Sequence, residues 1–342
     1  MSSSNQSITS KRYFLAVVFL SLCGTLILLF SAWIIDPLGI LQEHRGFPSL
    51  CANGVKVDPD DSVSRLLPLT TESVVDVIIG TSRIKKGITQ EAWRSVVSKS
   101  GTNLFLSKAT IGDLHNILLP LIRRKNPSRI WIGINYGMFV TPTTSRIHSL
   151  PAYEQQNRYS IYRHGVFSTQ AMNAATKVLL SGVGCNRIER DSSGFVTREV
   201  KRHTTEADIA RHAVLSEQLF SSNEFHNGER YQDSLERFSE ILETANINGV
   251  SMNIFINPSH PKYLHALNNA GHSEKYIHWK NSISNTVNAL NQNGLDVQFI
   301  DFTHMIEEEN ITCDPFSLCP FYDLIHFHPS IGKRMLSQFK DS

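Results

Sequence analysis

The sequence predicts a three-layer α/β domain, a parallel sheet with helices on both faces, carried behind an N-terminal membrane span. Three observations predict it. Short β-branched apolar runs alternate with segments of helical periodicity, a pattern that argues for a parallel sheet. An uncharged apolar run from Tyr13 to Ile35 is long enough to cross a bilayer. Between about residues 141 and 228 the alternation gives way to a polar stretch, too long for a loop in a compact domain and so read as a helical insertion or lid.

The elements follow in order. Lys11 and Arg12 precede the span, while Asp36 and Glu43 follow it, so the positive-inside rule places the N-terminus in the cytoplasm. Residues 1–12 are then a cytoplasmic tail, 13–35 a transmembrane helix and 36–70 a linker, and 71–342 form the domain with its insertion at about 141–228. The run is longer than the apolar core of a cleaved signal peptide, which is the alternative. With 41% hydrophobic and 19% charged residues the chain has a globular balance, and a net charge of +2 without a basic run argues against nucleic acid as a partner.

Val74–Ile79 is the first strand. A helix capped by Thr89 follows, with Ala92, Trp93, Val96 and Val97 at helical spacing. Residues 103–106 are the second strand. Asp113–Arg124 carries a helical apolar stripe through Leu114, Ile117, Leu118 and Leu121, and Asn126-Pro127 stops it. Residues 129–135 are the third strand. The insertion contains a helix over 170–180. Alternation then resumes with a helix over 229–245, a strand over 250–256, a helix over 274–291 and a strand over 297–301. A short acidic helix and a last helix from about Ser330 to Phe339 close the chain.

Cys23 lies in the span. Cys51, Cys185, Cys313 and Cys319 would face an oxidising space, where disulfides persist. Cys313 and Cys319 close a short loop and are the first candidates to pair, leaving Cys51 with Cys185. Four cysteines allow three pairings, and sequence does not choose among them. No cysteine or histidine spacing matches a metal site, and no metal or other cofactor is expected.

Chemistry-bearing residues fall at strand ends. Gly80-Thr81-Ser82-Arg83 leaves the first strand, Gly133-Ile134-Asn135 ends the third, and Asp323-Leu324-Ile325-His326 lies near the C-terminus. In open α/β sheets ligands bind at the carboxyl ends of strands. Acyl transfer needs a nucleophile, a base, a group that orients the base, and donors for the oxyanion. Ser82 supplies a hydroxyl and His326 a base. Asp323, three residues earlier, is its neighbour in a helical turn. The Ser82 N–H, the Asn135 amide and a glycine N–H after the second strand, Gly112 before Gly101, are candidate oxyanion donors. Arg83 and His260, the latter in the Asn257-Pro258-Ser259-His260-Pro261 turn, are candidates to touch substrate.

This set, in this order, resembles the SGNH (GDSL-like) hydrolase superfamily over about residues 74–340, apart from the insertion. The resemblance implies a flavodoxin-like fold and a serine esterase or acyltransferase whose triad is Ser82, Asp323 and His326. Thr81 stands where many members have aspartate, and Tyr136 where the third motif often continues with aspartate. Asp36-Pro37-Leu38-Gly39 just past the span, together with Gly80–Arg83, is similar to a narrower group of membrane-anchored members that act in O-acylation or deacylation of surface polysaccharides. For this chain that implies a single-pass protein of a bacterial inner membrane, with the domain in the periplasm or outside. The implied substrate is a glycan ester or acyl donor, and other envelope-polysaccharide proteins are implied partners. A domain that kept the fold and binds glycan or a partner without catalysis is the rival reading.

Overall fold

The computed structural model describes residues 3–36, 75–98, 100–141, 167–180, 194–195, 204–222, 225, 228–294, 296–306, 311 and 319–339. Its elements are α1 (Ser3–Ile35), β1 (Asp76–Gly80), α2 (Ser82–Gly87), α3 (Gln90–Val96), β2 (Thr102–Asn103), α4 (Ile111–Lys125), β3 (Arg129–Ile134) and α5 (Gly137–Val140). There follow α6 (Thr169–Leu180), α7 (Glu206–Phe220), α8 (Gly228–Ile247), β4 (Ser251–Ile256), α9 (Pro261–Asn269), α10 (Ser273–Gln292), β5 (Val297–Asp301) and α11 (Pro329–Gln338).

The chain divides into two units, one of residues 1–59 with 157–192, the other of 60–156 with 193–342. In the first, α1 packs against α6. Residues Lys11–Ile35 of α1 are long and apolar enough to cross a membrane, and large side chains such as Phe14, Leu20 and Ile27 are exposed along it. This is consistent with a single-pass membrane protein. The expected insertion is thus shared between the two units, with α6 in the first and α7 in the second. All but the start of the expected linker lies outside the described residues.

The second unit is built on a parallel sheet of order β2-β1-β3-β4-β5. Strand order reverses between β1 and β3, the switch point where ligands bind in such folds. β1, β3 and β4 are nearly continuous apolar runs, as strands covered on both faces must be. β2 is short, yet Leu104 N donates to Ile78 O and Leu106 N to Gly80 O, both at 2.8 Å, so this segment accompanies β1 to its end. Right-handed crossovers send α3 to one face of the sheet and α4 and α8 to the other. In keeping with that, α2, α3 and α11 pack together, as do α4, α8 and α10. The first layer meets the sheet where Trp93 and Phe339 pack on Trp131 of β3, and within the second Phe139 of α5 packs against Phe238 of α8 and Trp279 of α10.

Four helices were not expected from periodicity: α2, α5, α7 and α9. Asp323 and His326 are not in a helical turn. They sit in a tight loop closed by an antiparallel bridge between Phe321 and Phe327, with Tyr322 N donating to His326 O at 2.8 Å. The acidic helix expected after β5 falls largely outside the described residues. Cys23 is a free thiol, and Cys319 is buried and disulfide-bonded. Its candidate partners Cys51, Cys185 and Cys313 lie outside the described residues.

Candidate active site

The position of Ser82 follows from two glycines. β1 ends at Gly80, which pairs across the sheet with Gly133 of β3. A Cβ on Gly80 would lie 2.6 Å from Ile84 Cγ1 and 2.8 Å from Gly133 O; one on Gly133 would lie 2.5 Å from Ile84 Cδ1. The bare backbones make a slot for Ile84, which is fully buried. Burying that side chain is worth roughly 1.5–3 kcal/mol. It draws α2 down onto the sheet, so the helix starts one residue after the strand ends. Thr81 is the N-cap, extended at φ −90° and ψ −170°, and its hydroxyl accepts from Arg83 N. Ser82 is therefore the first helical residue, at the carboxyl edge of the sheet and at the switch point.

The base arrives on the loop between Phe321 and Phe327. Asp323 Oδ1 accepts from the backbone N–H groups of Ile325 and His326, both at 2.9 Å, which folds the loop around its own carboxylate. Asp323 Oδ2 lies 2.6 Å from His326 Nδ1, and His326 Nε2 lies 2.7 Å from Ser82 Oγ. A carboxylate can only accept, so Nδ1 carries the proton. Nε2 of the neutral ring is then an acceptor and the Ser82 hydroxyl donates to it. Phe327 anchors the loop on α2: a Cβ on Gly87 would overlap its ring.

Electrostatics keep these protonation states. Burial alone would raise the Asp323 carboxyl, but the hydrogen bonds and charge of His326 and the two backbone donors outweigh it and hold it well below the usual carboxylate range. For His326 burial is the largest influence and lowers its pKa; Lys86 and Arg83 push the same way against Asp323, and the net shift is downward. The imidazole is thus neutral at pH 7 and able to take a proton. Lys86 Nζ stands 4.0 Å from Asp323 Oδ2.

The oxyanion candidates surround the same edge. The Ser82 N–H has no acceptor among the described residues. Asn135 follows β3, is half-buried, and its side-chain amide bonds to none of the described residues. Gly112 is the second residue of α4, behind the Thr110–Asp113 capping box, where an N–H lacks an intrahelical acceptor. The loop between β2 and α4 holds a feature the sequence did not reveal: Lys108, at φ 57°, is left-handed although it is not glycine. Residue type gives no signal for this, because a lysine seldom adopts that conformation.

Arg83 and His260, the candidates to touch substrate, are both buried. Arg83 is 3% exposed; its Nη1 donates to Pro258 O at 3.2 Å and to Ser259 Oγ at 2.8 Å, and its guanidinium lies over the Tyr263 ring. His260 is 2% exposed and is the N-cap of α9, its Nδ1 accepting from Lys262 N at 3.2 Å. His328 likewise caps α11 through Ser330 N. Among the described residues no group of three or more His, Cys, Asp or Glu side chains gathers where it could hold a metal.

The sequence matches no protein-family model and no curated protein.

Proposed function

We propose that the chain is a membrane-anchored serine esterase or O-acyltransferase acting on a surface glycan ester outside the cytoplasm. The observation that carries the proposal is the continuous relay from Ser82 Oγ through His326 to Asp323, at 2.7 and 2.6 Å. In the proposed reaction Ser82 Oγ attacks the ester carbonyl carbon while its proton passes to His326 Nε2. The carbonyl π pair moves to oxygen, and the resulting anion is held by the Ser82 N–H, the Asn135 amide and the Gly112 N–H. Collapse expels the alcohol, which takes the proton from His326, and leaves an ester on Ser82. Water or a sugar hydroxyl then gives its proton to His326 and attacks that ester; Ser82 departs and regains the proton. Asp323 holds the ring in the required tautomer and offsets its charge when it is protonated.

Support for the membrane comes from the apolar helix, and for an outside domain from Lys11 and Arg12 ahead of it. The glycan rests on the resemblance of Gly80–Arg83 and Asp36–Gly39 to anchored members of the SGNH superfamily. Hydrolysis and transfer use the same residues and differ in whether water is kept out.

The test is full-length protein in detergent, given aryl acetates and then an O-acetylated polysaccharide with and without an unacetylated acceptor. Release of acetate, or its movement to the acceptor, lost in Ser82→Ala and His326→Ala, is the expected result. Turnover of neither substrate would favour the non-catalytic binding module.

A further inference from the structure

Ser82 and His326 are 244 residues apart in sequence, yet their side chains must stay within hydrogen-bond distance. Between their two segments stands the loop 257–260 that follows β4. Its base is pinned to β3, with Asn257 N and Nδ2 both donating to Ile134 O at 3.0 Å. Its middle accepts both Nη1 bonds of Arg83, the residue next to Ser82. Its end holds the base loop: His260 N donates to Leu324 O at 3.0 Å, and the His260 ring packs edge-on against Phe321 at 5.5 Å. We propose that Arg83 is a positioning residue, clamping the His326 loop to the Ser82 helix through residues 258–260. This rests on the reading of Ser82, His326 and Asp323 as catalytic.

Other roles for Arg83 fit less well. It forms no ion pair among the described residues and is buried, so it is not a surface salt bridge. A buried guanidinium without a carboxylate is costly, and an apolar side chain would fill the volume more cheaply. What arginine adds is a planar fork that bonds a carbonyl and a hydroxyl from one nitrogen while its face lies on Tyr263. A displacement of ~1 Å in a catalytic pair costs ~100-fold in rate. The guanidinium also acts at a distance. Asp323, Lys86 and Arg83 are the charged groups that bear on His326, and Arg83 disfavours the protonated ring.

The test uses full-length Arg83→Met, Arg83→Lys and Ser259→Ala in detergent, with fluorophosphonate labelling resolved into kinact and KI across pH. Arg83→Met is expected to lose ~100-fold in kinact with KI little changed, and its acid limb should move to higher pH. Arg83→Lys should restore the acid limb but only part of kinact. Ser259→Ala should lower kinact several-fold. Wild-type kinact in Arg83→Met, or a loss confined to KI, overturns the proposal. If Arg83→Met does not fold, an unchanged kinact in Ser259→Ala overturns it instead. If the wild type does not label, the catalytic reading fails, and the clamp is read from the approach of Ser82 to His326, as the nuclear Overhauser effect between the Ser82 Hβ and His326 Hε1 protons. That effect should be present in the wild type and weakened in Ser259→Ala; its retention at wild-type strength overturns the clamp.

Discussion

Replacing Asp323 by asparagine probes the relay at one atom. The side-chain oxygen of asparagine can keep accepting from Ile325 N and His326 N, the two bonds that shape the loop. Its amide nitrogen then takes the place of Oδ2, 2.6 Å from His326 Nδ1. An N–H cannot accept from an N–H, so the ring must move its proton to Nε2. Nε2–H then faces Ser82 Oγ as a donor and cannot take the serine proton. The loss comprises a charge-assisted hydrogen bond, ~1.5–3 kcal/mol, and most of the general-base assistance, ~10²–10⁴-fold. Together these predict a fall of ~10³–10⁶-fold in labelling, or ~4–8 kcal/mol at 1.36 kcal/mol per decade. The assay is quenched-flow fluorophosphonate labelling of folded wild type and Asp323→Asn, with thermal unfolding as the control. Labelling of folded Asp323→Asn within threefold of wild type would refute the tautomer argument.

Other perturbations have distinct signatures. Because the His326 pKa is below its ordinary 6.5, labelling should rise with a one-proton slope to a midpoint below that value and level off above it. The same shift means the unfolded chain binds the extra proton at higher pH than the folded one. The His326 contribution to stability is therefore complete above 6.5 and lost as pH falls through the folded pKa, which denaturant titrations at several pH values would show. Gly87→Ala forces a methyl into the Phe327 ring and should cost ~1–3 kcal/mol, with slower labelling because that ring anchors the His326 loop. Thr89→Ala removes the cap bond to Ala92 N and should cost ~1 kcal/mol in thermal unfolding while labelling is unchanged.

The sheet was readable because its strands had to be apolar on both faces. The Ile130-Trp131-Ile132 run and the strand over 251–256 leave little choice of backbone. Helices with a long stripe were equally plain. The short ones were not: α2 is Ser82-Arg83-Ile84-Lys85-Lys86-Gly87, whose one large apolar residue, Ile84, gives periodicity nothing to repeat. α9 starts at Pro261 with His260 as its cap, and the same residues read as a turn. α4 begins two residues before the first apolar stripe suggests, because Thr110 and Asp113 form a capping box around its start. Within the site, Asp323 and His326 were paired by spacing, but through a helical turn, whereas the carboxylate folds the loop by bonding the backbone two and three residues on. The burial of Arg83 was not legible at all, since a charged side chain is by default exposed and its partners Pro258 and Ser259 lie far off in sequence.

The central claim is that Ser82 is a nucleophile activated by His326. It is tested most directly by mass-spectrometric mapping of the covalent adduct after fluorophosphonate treatment of the full-length protein. A single adduct on the peptide containing Ser82, absent from Ser82→Ala and His326→Ala, is the predicted result. No adduct, an adduct on another residue, or undiminished modification of Ser82 in folded His326→Ala would contradict it.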